Sequence, residues 1–144
     1  MEEQKARCLI SKTFDPYFNL AIEDWIYRDL DPSHQVLFLW RNKDSVIIGR
    51  NQNPWTECNL KKMKEDKIHL VRRESGGGAV FQDLGNMNFT FLSSMQSYDR
   101  RRNYEIVVNA LKRFHIPAEV SGRNDIVVNG SKISGSAFKE AIDR

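Results

Sequence analysis

Cysteine and histidine are both scarce in this sequence. The two cysteines, Cys8 and Cys58, stand far apart. Neither belongs to a C-x2-C pair, and His34, His69 and His115 are scattered, so a zinc site and a disulfide framework are both excluded. Two reduced thiols in a cytoplasmic protein are the expectation. Long apolar runs are missing as well. The longest, VLFLW at 36–40, is far too short to span a bilayer, and the polar start MEEQKARCLI is neither a signal nor a transit peptide. No membrane partner is therefore expected. Charge of one sign is also lacking. A net charge of +3 is too mild for a dedicated nucleic-acid binder, and no basic stripe with interleaved aromatics appears. Such a balance suits an anionic ligand or an acidic partner. There are no repeats, low-complexity tracts or linkers, and the length fits one domain with a real core.

The elements follow from pattern. RCLIS reads as a strand. In FDPYFNLAIEDWIYRDL, Asp15 suits the N-cap and Pro16 the first helical position. Phe18, Ala21, Ile22, Trp25 and Ile26 recur at helical spacing and predict the buried face. QVLFLWR and SVIIG flank NKD, a hairpin signal. TECNLKKMKEDK predicts one short helix capped by Thr56, with a Trp55–Leu60 staple. IHLVRR, AVFQD and MNFTFLSS read as strands. A helix near 99–115, capped by Asp99 or Asn103, would bury Ile106, Val107, Ala110, Leu111 and Phe114. The segment 118–138 reads as strand, turn, strand, Asn-Gly hairpin, strand. Helices mixed with paired strands indicate an α+β class, not a doubly wound parallel sheet.

RRESGGGAVFQDLGN, residues 72–86, carries the first chemical signal. Glycine triplets are costly, because glycine loses the most backbone freedom on folding. The triplet either closes a hairpin or lets a ligand approach backbone N–H groups gathered in one concavity. Arg72 and Arg73 precede it, and strand alternation sends one of them to the other face. With a guanidinium beside it, the second reading describes an anion cradle. The known phosphate and nucleophile motifs do not fit: NGSKIS has Gly130 and Lys132 in the wrong order for a P-loop, and no G-x-G-x-x-G opens a helix. Lys132, just after an Asn-Gly turn, is either an exposed hairpin lysine or a fixed ammonium able to support developing negative charge.

These residues resemble a known family. RRESGGGAVFQDLGN is similar to the R-R-x-S-G-G-G-A-V-x-H-D-x-G-N signature of lipoate–protein ligases of the A type, and GRNDIVVNGSKISGSAF to their lysine-bearing segment. FDPYFNLAIEDWI and VLFLWRNKDSVIIGRNQNPWTECN match too, in the right order, so the resemblance covers nearly the whole chain. It implies the biotin/lipoate ligase core, a mixed β-sheet with flanking helices, related to class II aminoacyl-tRNA synthetases. The implied activity uses ATP and Mg2+ to convert lipoic acid to lipoyl-AMP, then transfers the lipoyl group to a lysine of an acceptor. The implied partners are the lipoyl domains of 2-oxoacid dehydrogenase complexes and the glycine-cleavage H protein. Residue by residue, it assigns nucleotide binding to Arg73, Gly78, Ala79, Val80, Phe81 and Lys132. It places Leu20, Glu23, Trp40, Arg73, Ser75, Gly76, Gly77, Asn86 and Lys132 at the lipoate, with Lys132 catalytic and Asp125 at the metal. Without the resemblance, Leu20 and Trp40 read as plain core, Glu23 as a solvated helix position and Asp125 as a turn cap.

The chemistry agrees. A carboxylate is already ionised at pH 7, so adenylation needs alignment and cationic support rather than a general base. Two departures stand out. Gln82 replaces the family histidine and cannot carry a proton or a charge. Family members also continue into a His-bearing strand and, in many, an accessory domain. Residues 1–144 are thus expected to form a single, partial catalytic domain, truncated at the C-terminus, with an open sheet edge. The alternatives are an ATP-independent octanoyl or lipoyl transferase of the same fold, which needs a site cysteine that Cys8 and Cys58 do not supply, and a non-catalytic lipoyl-AMP-binding fragment.

Overall fold

Parallel strands need a crossover of a dozen or more residues, and two stretches of this chain provide one. The computed structural model describes residues 5–29, 31, 33–122 and 125–140. The turn expected around Arg123–Asn124 and the end of KEAIDR from Ala141 lie outside these. Strand β1 (Lys5–Ile10) crosses through helix α1 (Pro16–Asp29) to pair in parallel with β2 (His34–Trp40). Strand β3 (Ser45–Ile48) crosses through α2 (Pro54–Glu57) and α3 (Leu60–Glu65) to pair in parallel with β4 (His69–Arg72). Strand β5 (Val80–Gln82) runs antiparallel to β3, and β6 (Asn88–Leu92) antiparallel to β2. Two mixed sheets result, ordered β1-β2-β6 and β4-β3-β5. The third is antiparallel: β7 (Ala118–Ser121), β8 (Asp125–Val128) and β9 (Ser131–Ser134), preceded by α4 (Arg100–Arg113). This is the α+β class that the pattern predicts, with the mixed sheets and flanking helices that the resemblance implies.

The described residues divide into two compact units. One runs to Ser97 and takes in Lys139; the other is Tyr98–Phe138. In the first, Val36, Phe38 and Trp40 alternate inward along β2 and meet Leu20 and Ile26 of α1, Ile47, Val71 and Leu92. Each such side chain contributes about 1.5–3 kcal/mol on burial.

Several local expectations change. NKD does not close a hairpin: β2 and β3 lie in different sheets. Asn42 in that segment is fully buried and bonded to Asn19 and Gln82, so the chain turns a corner there instead of folding back. Asp15 caps α1 as expected, accepting from the N–H groups of Tyr17 and Phe18. The buried face of α1 is rotated, however. Phe18 and Trp25 are each 54% exposed, whereas Pro16, Asn19, Leu20 and Ile26 are buried. Two inward positions, Asn19 and Glu23, are polar with polar partners, and hydropathy counts such residues against a buried face.

TECNLKKMKEDK is not one helix. Asn53 and Asn59 cap two short helices, accepting from Trp55 N–H and Lys62 N–H, with extended Cys58 between them. Trp55 is 78% exposed, so no staple forms. On α4 the Asp99 cap holds, but Val108 is the buried residue, flanked by partly buried Tyr104, Val107 and Leu111. Ile106, Ala110 and Phe114 face outward because α4 packs one narrow side on β7. The Asn-Gly hairpin is as predicted: Asn129 and Gly130 take φ of 50° and 78°, the two positive values that a type I′ turn requires.

Candidate active site

The order β4-β3-β5 decides what the glycine triplet is for. β4 and β5 lie on opposite sides of β3, so residues 73–79 cannot close a hairpin between them. They arch over the end of β3, where the chain reaches Gly49. A Cβ on Gly49 would sit 2.0 Å from the Gly77 carbonyl oxygen, so the arch passes within contact of bare main chain. Arg50 N–H donates to the Ser75 carbonyl and Arg73 N–H to the Ile48 carbonyl, pinning both feet. Gly77 at the crown has φ +97°, a value that L side chains rarely adopt.

Both arginines serve this architecture. Arg73 donates from Nη1 to the Ile47 carbonyl at 3.1 Å and from Nη2 to the carbonyls of Gly76 and Gly78, each at 2.8 Å. Burial lowers the pKa of Arg73, an effect partly opposed by the charge of Glu23; an arginine remains a cation regardless. Arg72 turns the other way and donates from Nη1 to the carbonyls of Gly49, Arg50 and Gln52. The two arginines part to opposite sides, as strand alternation predicts, and each holds a loop by its carbonyls. The arch consequently turns carbonyls towards Arg73. The N–H groups of Gly76, Gly77, Gly78 and Ala79 are exposed and donate no hydrogen bond among the described residues.

Beneath α1 lies a polar line that the sequence did not reveal. Trp40 Nε1 donates to Thr90 Oγ1 at 3.1 Å, and the Thr90 hydroxyl donates to Glu23 Oε1 at 2.5 Å. Glu23 is therefore no solvated position. Burial raises its pKa above the ordinary glutamate value, with Thr90, Lys139 and Arg73 opposing and Asp24 adding to the rise. Lys139 was also not foreseen. Its ammonium lies 3.3 Å from Asp24 and 3.5 Å from Glu74, over the Tyr27 ring. Leu20 and Trp40 are buried in the apolar core. Ser75 is partly buried; Val80, Phe81 and Asn86 are exposed, and Asn86 closes its own turn by accepting from Asp83 N–H.

In the second unit, Lys132 and Asp125 come together. The Asn-Gly turn sets β9 against β8, and Lys132 Nζ lies 2.9 Å from Asp125 Oδ1, both side chains about half exposed. Among the described residues no three His, Cys, Asp or Glu side chains gather to cage a metal. A single carboxylate fits Mg2+, which commonly takes one or two carboxylates and completes its shell with water and substrate phosphate.

A mixed-sheet α+β core with a buttressed glycine arch is the class that the fold and the site define. The chain belongs to the lipoyl protein ligase A/B catalytic domain family, whose model matches residues 15–144. It is 57% identical, over 98% of its length, to lipoate-protein ligase A of Bdellovibrio bacteriovorus, and 57% identical to that of Psychrobacter cryohalolentis over 97%. It spans only 43% and 41% of those curated relatives. Among solved structures it is similar to P. falciparum LipL1 in complex with lipoate, at TM-score 0.83 and 44% identity, over 96% of this chain and 45% of that one. It also resembles a structure from the analysis of an archaeal lipoylation system, a bipartite lipoate protein ligase and its E2 lipoyl domain from Thermoplasma acidophilum, at TM-score 0.87 and 33% identity, over 96% of this chain and 58% of that one. A lipoate-protein ligase A bound with ATP matches at TM-score 0.87 and 33% identity, over 95% of this chain and 62% of that one. No helix among the described residues is long and apolar enough to cross a membrane.

Proposed function

We propose that this chain carries the adenylate-forming part of a lipoate–protein ligase, a single catalytic domain that activates lipoate with ATP and passes the lipoyl group to an acceptor lysine. The observation that carries the reading is the arch 73–79, whose exposed N–H groups stand clear while Arg73 holds its carbonyls behind. Such a run of unpaired amides is an anion cradle. In the first step a lipoate carboxylate oxygen attacks the α-phosphorus of ATP, the bond to the β-phosphate breaks, and pyrophosphate leaves. Gly78, Ala79, Val80 and Phe81 bind the nucleotide through main chain, and Gly76 and Gly77 let the chain pass close to the acyl-adenylate. Arg73 keeps that surface in shape and adds long-range positive charge. Lys132 neutralises charge on the α-phosphoryl oxygens and polarises the acyl carbonyl. Asp125 would hold Mg2+, which supplies positive charge to the departing pyrophosphate.

In the second step a neutral acceptor amine attacks the carbonyl carbon, and AMP leaves as an amide forms. Leu20, Glu23 and Trp40 flank the lipoyl tail, and Ser75 and Asn86 line the same pocket. The acceptors are lipoyl domains of 2-oxoacid dehydrogenase complexes and the glycine-cleavage H protein, and the setting is cytoplasmic. The E2 lipoyl domain that belongs to the Thermoplasma ligase supports the first acceptor class, and the two free thiols of the chain support the compartment. The test is release of pyrophosphate from ATP and Mg2+ on adding lipoate, with a mixed-in lipoyl domain weighed by mass spectrometry. Lys132→Ala should remove pyrophosphate release in a folded chain. Undiminished release would overturn the assignment of Lys132.

A further inference from the structure

We propose that Thr90 is a positioning residue for the lipoyl tail: it fixes the direction of the hydrogen-bond line Trp40–Thr90–Glu23, so that Glu23 Oε2 alone is offered to the ligand, selecting a sulfur-bearing ring over a plain alkyl chain. This deepens, and rests on, the reading that α1 and β2 wall the acyl site.

The direction follows from donor arithmetic. An indole nitrogen only donates, and a hydroxyl has a single proton. Trp40 Nε1 gives its proton to Thr90 Oγ1, and the Thr90 proton must then go to Glu23 Oε1. Oε1 accepts whichever charge Glu23 carries. Oε2 makes no hydrogen bond among the described residues, so any proton that Glu23 binds resides there. Trp40 is buried in the apolar cluster, and the Glu23 carboxyl is tied to it through Thr90. A neutral Oε2–H can donate to a ring sulfur, a weak acceptor. An alkyl chain offers it nothing and leaves a desolvated donor unpaired, which is costly. The charged groups facing Glu23 are Asp24 on its own helix, Arg73 at the end of β4, and Lys139. Lys139 and Arg28 share the Asp24 carboxylate, Lys139 and Arg28 reach Glu74, and Tyr27 lies under the Lys139 ammonium. Burial nonetheless favours the neutral carboxyl. Preference for the ring should therefore grow as pH falls.

Calorimetry on the intact chain with lipoate and with octanoate, from about pH 4 to 8, tests this. The unmodified chain should prefer lipoate, more so at the lower pH. Thr90→Val should cut that preference roughly fivefold, the worth of one net hydrogen bond, while Thr90→Ser retains it. On 15N-labelled chain, the Trp40 indole N–H resonance, assigned by its loss in Trp40→Phe, should titrate with Glu23. Its midpoint should stay put in Thr90→Ser. If Thr90→Val fails to fold, the indole titration of the unmodified chain decides: a resonance flat across the range overturns the inference. Binding of both acids with an unchanged preference in folded Thr90→Val overturns the inference alone. Binding of neither acid to the unmodified chain overturns the acyl-site reading and the inference with it.

Discussion

At the scale of single residues, Glu23 is the one whose environment most changes its chemistry. Its pKa is raised mainly by burial, so between the ordinary glutamate value of about 4.3 and the raised folded value the folded chain holds more protons than the unfolded one. Stability linked to Glu23 is then fully present below about pH 4.3 and is lost as pH rises through the folded pKa. Glu23→Gln keeps an acceptor for Thr90 and removes the buried charge. Urea denaturation should find the two proteins alike near pH 4 and the Gln variant the more stable at pH 7.5. A less stable Gln variant at pH 7.5 would mean that Lys139 and Arg73 outweigh burial. Nothing in the helical pattern marks Glu23 as inward, because its partner Thr90 is 67 residues distant in sequence.

At the scale of elements, Gly49 and the arch glycines 76–78 separate into two kinds by what surrounds them. Gly49 and Gly77 are needed by the fold: the first lacks room for a Cβ against main chain, and the second holds a left-handed φ. Gly76 and Gly78 have nothing within 4 Å of an added Cβ, so the free chain does not need them. Gly49→Ala should therefore destabilise by about 1–3 kcal/mol, as overpacking does. Gly76→Ala and Gly78→Ala should leave stability within about 0.5 kcal/mol. If bare backbone serves a ligand, those two variants should still lose roughly tenfold or more in affinity for an acyl-adenylate analogue, about 1.4 kcal/mol. Thermal melts and calorimetry on the same samples separate the two effects. Gly49 passed unremarked in the sequence because its reason lies in a loop closed by a strand order that no local pattern encodes.

At the scale of the molecule, one amide line joins the two mixed sheets. The Ser11 hydroxyl donates to Asn19 Oδ1, Asn19 Nδ2 to Asn42 Oδ1, and Asn42 Nδ2 to Gln82 Oε1. Gln82 and Asn88 then exchange amide hydrogen bonds at 2.8 and 3.2 Å, tying β5 of one sheet to β6 of the other. This gives the departure at Gln82 a physical meaning: an amide can accept two hydrogen bonds and also donate, and here it accepts from Asn42 and Asn88 and donates to Asn88. Gln82→Leu should cost about 1–3 kcal/mol by leaving amides of Asn42 and Asn88 unpaired, measured by urea unfolding. Unchanged stability would show that water replaces the line.

The sequence by itself determined the α+β class, the caps at Asp15 and Asp99, the Asn-Gly turn, the approximate places of the strands and the resemblance that locates the arch and Lys132. These rest on interactions a few residues apart, or on a signature written contiguously. Only the tertiary structure decided that β2 and β3 part into separate sheets, that α1 turns Asn19 and Glu23 inward, that Arg72 and Arg73 grip carbonyls, and that Lys132 pairs with Asp125. Each of these depends on partners brought together by strand order. Burying a polar group is tolerated only when a distant partner satisfies it, and that partner is invisible until the chain has folded.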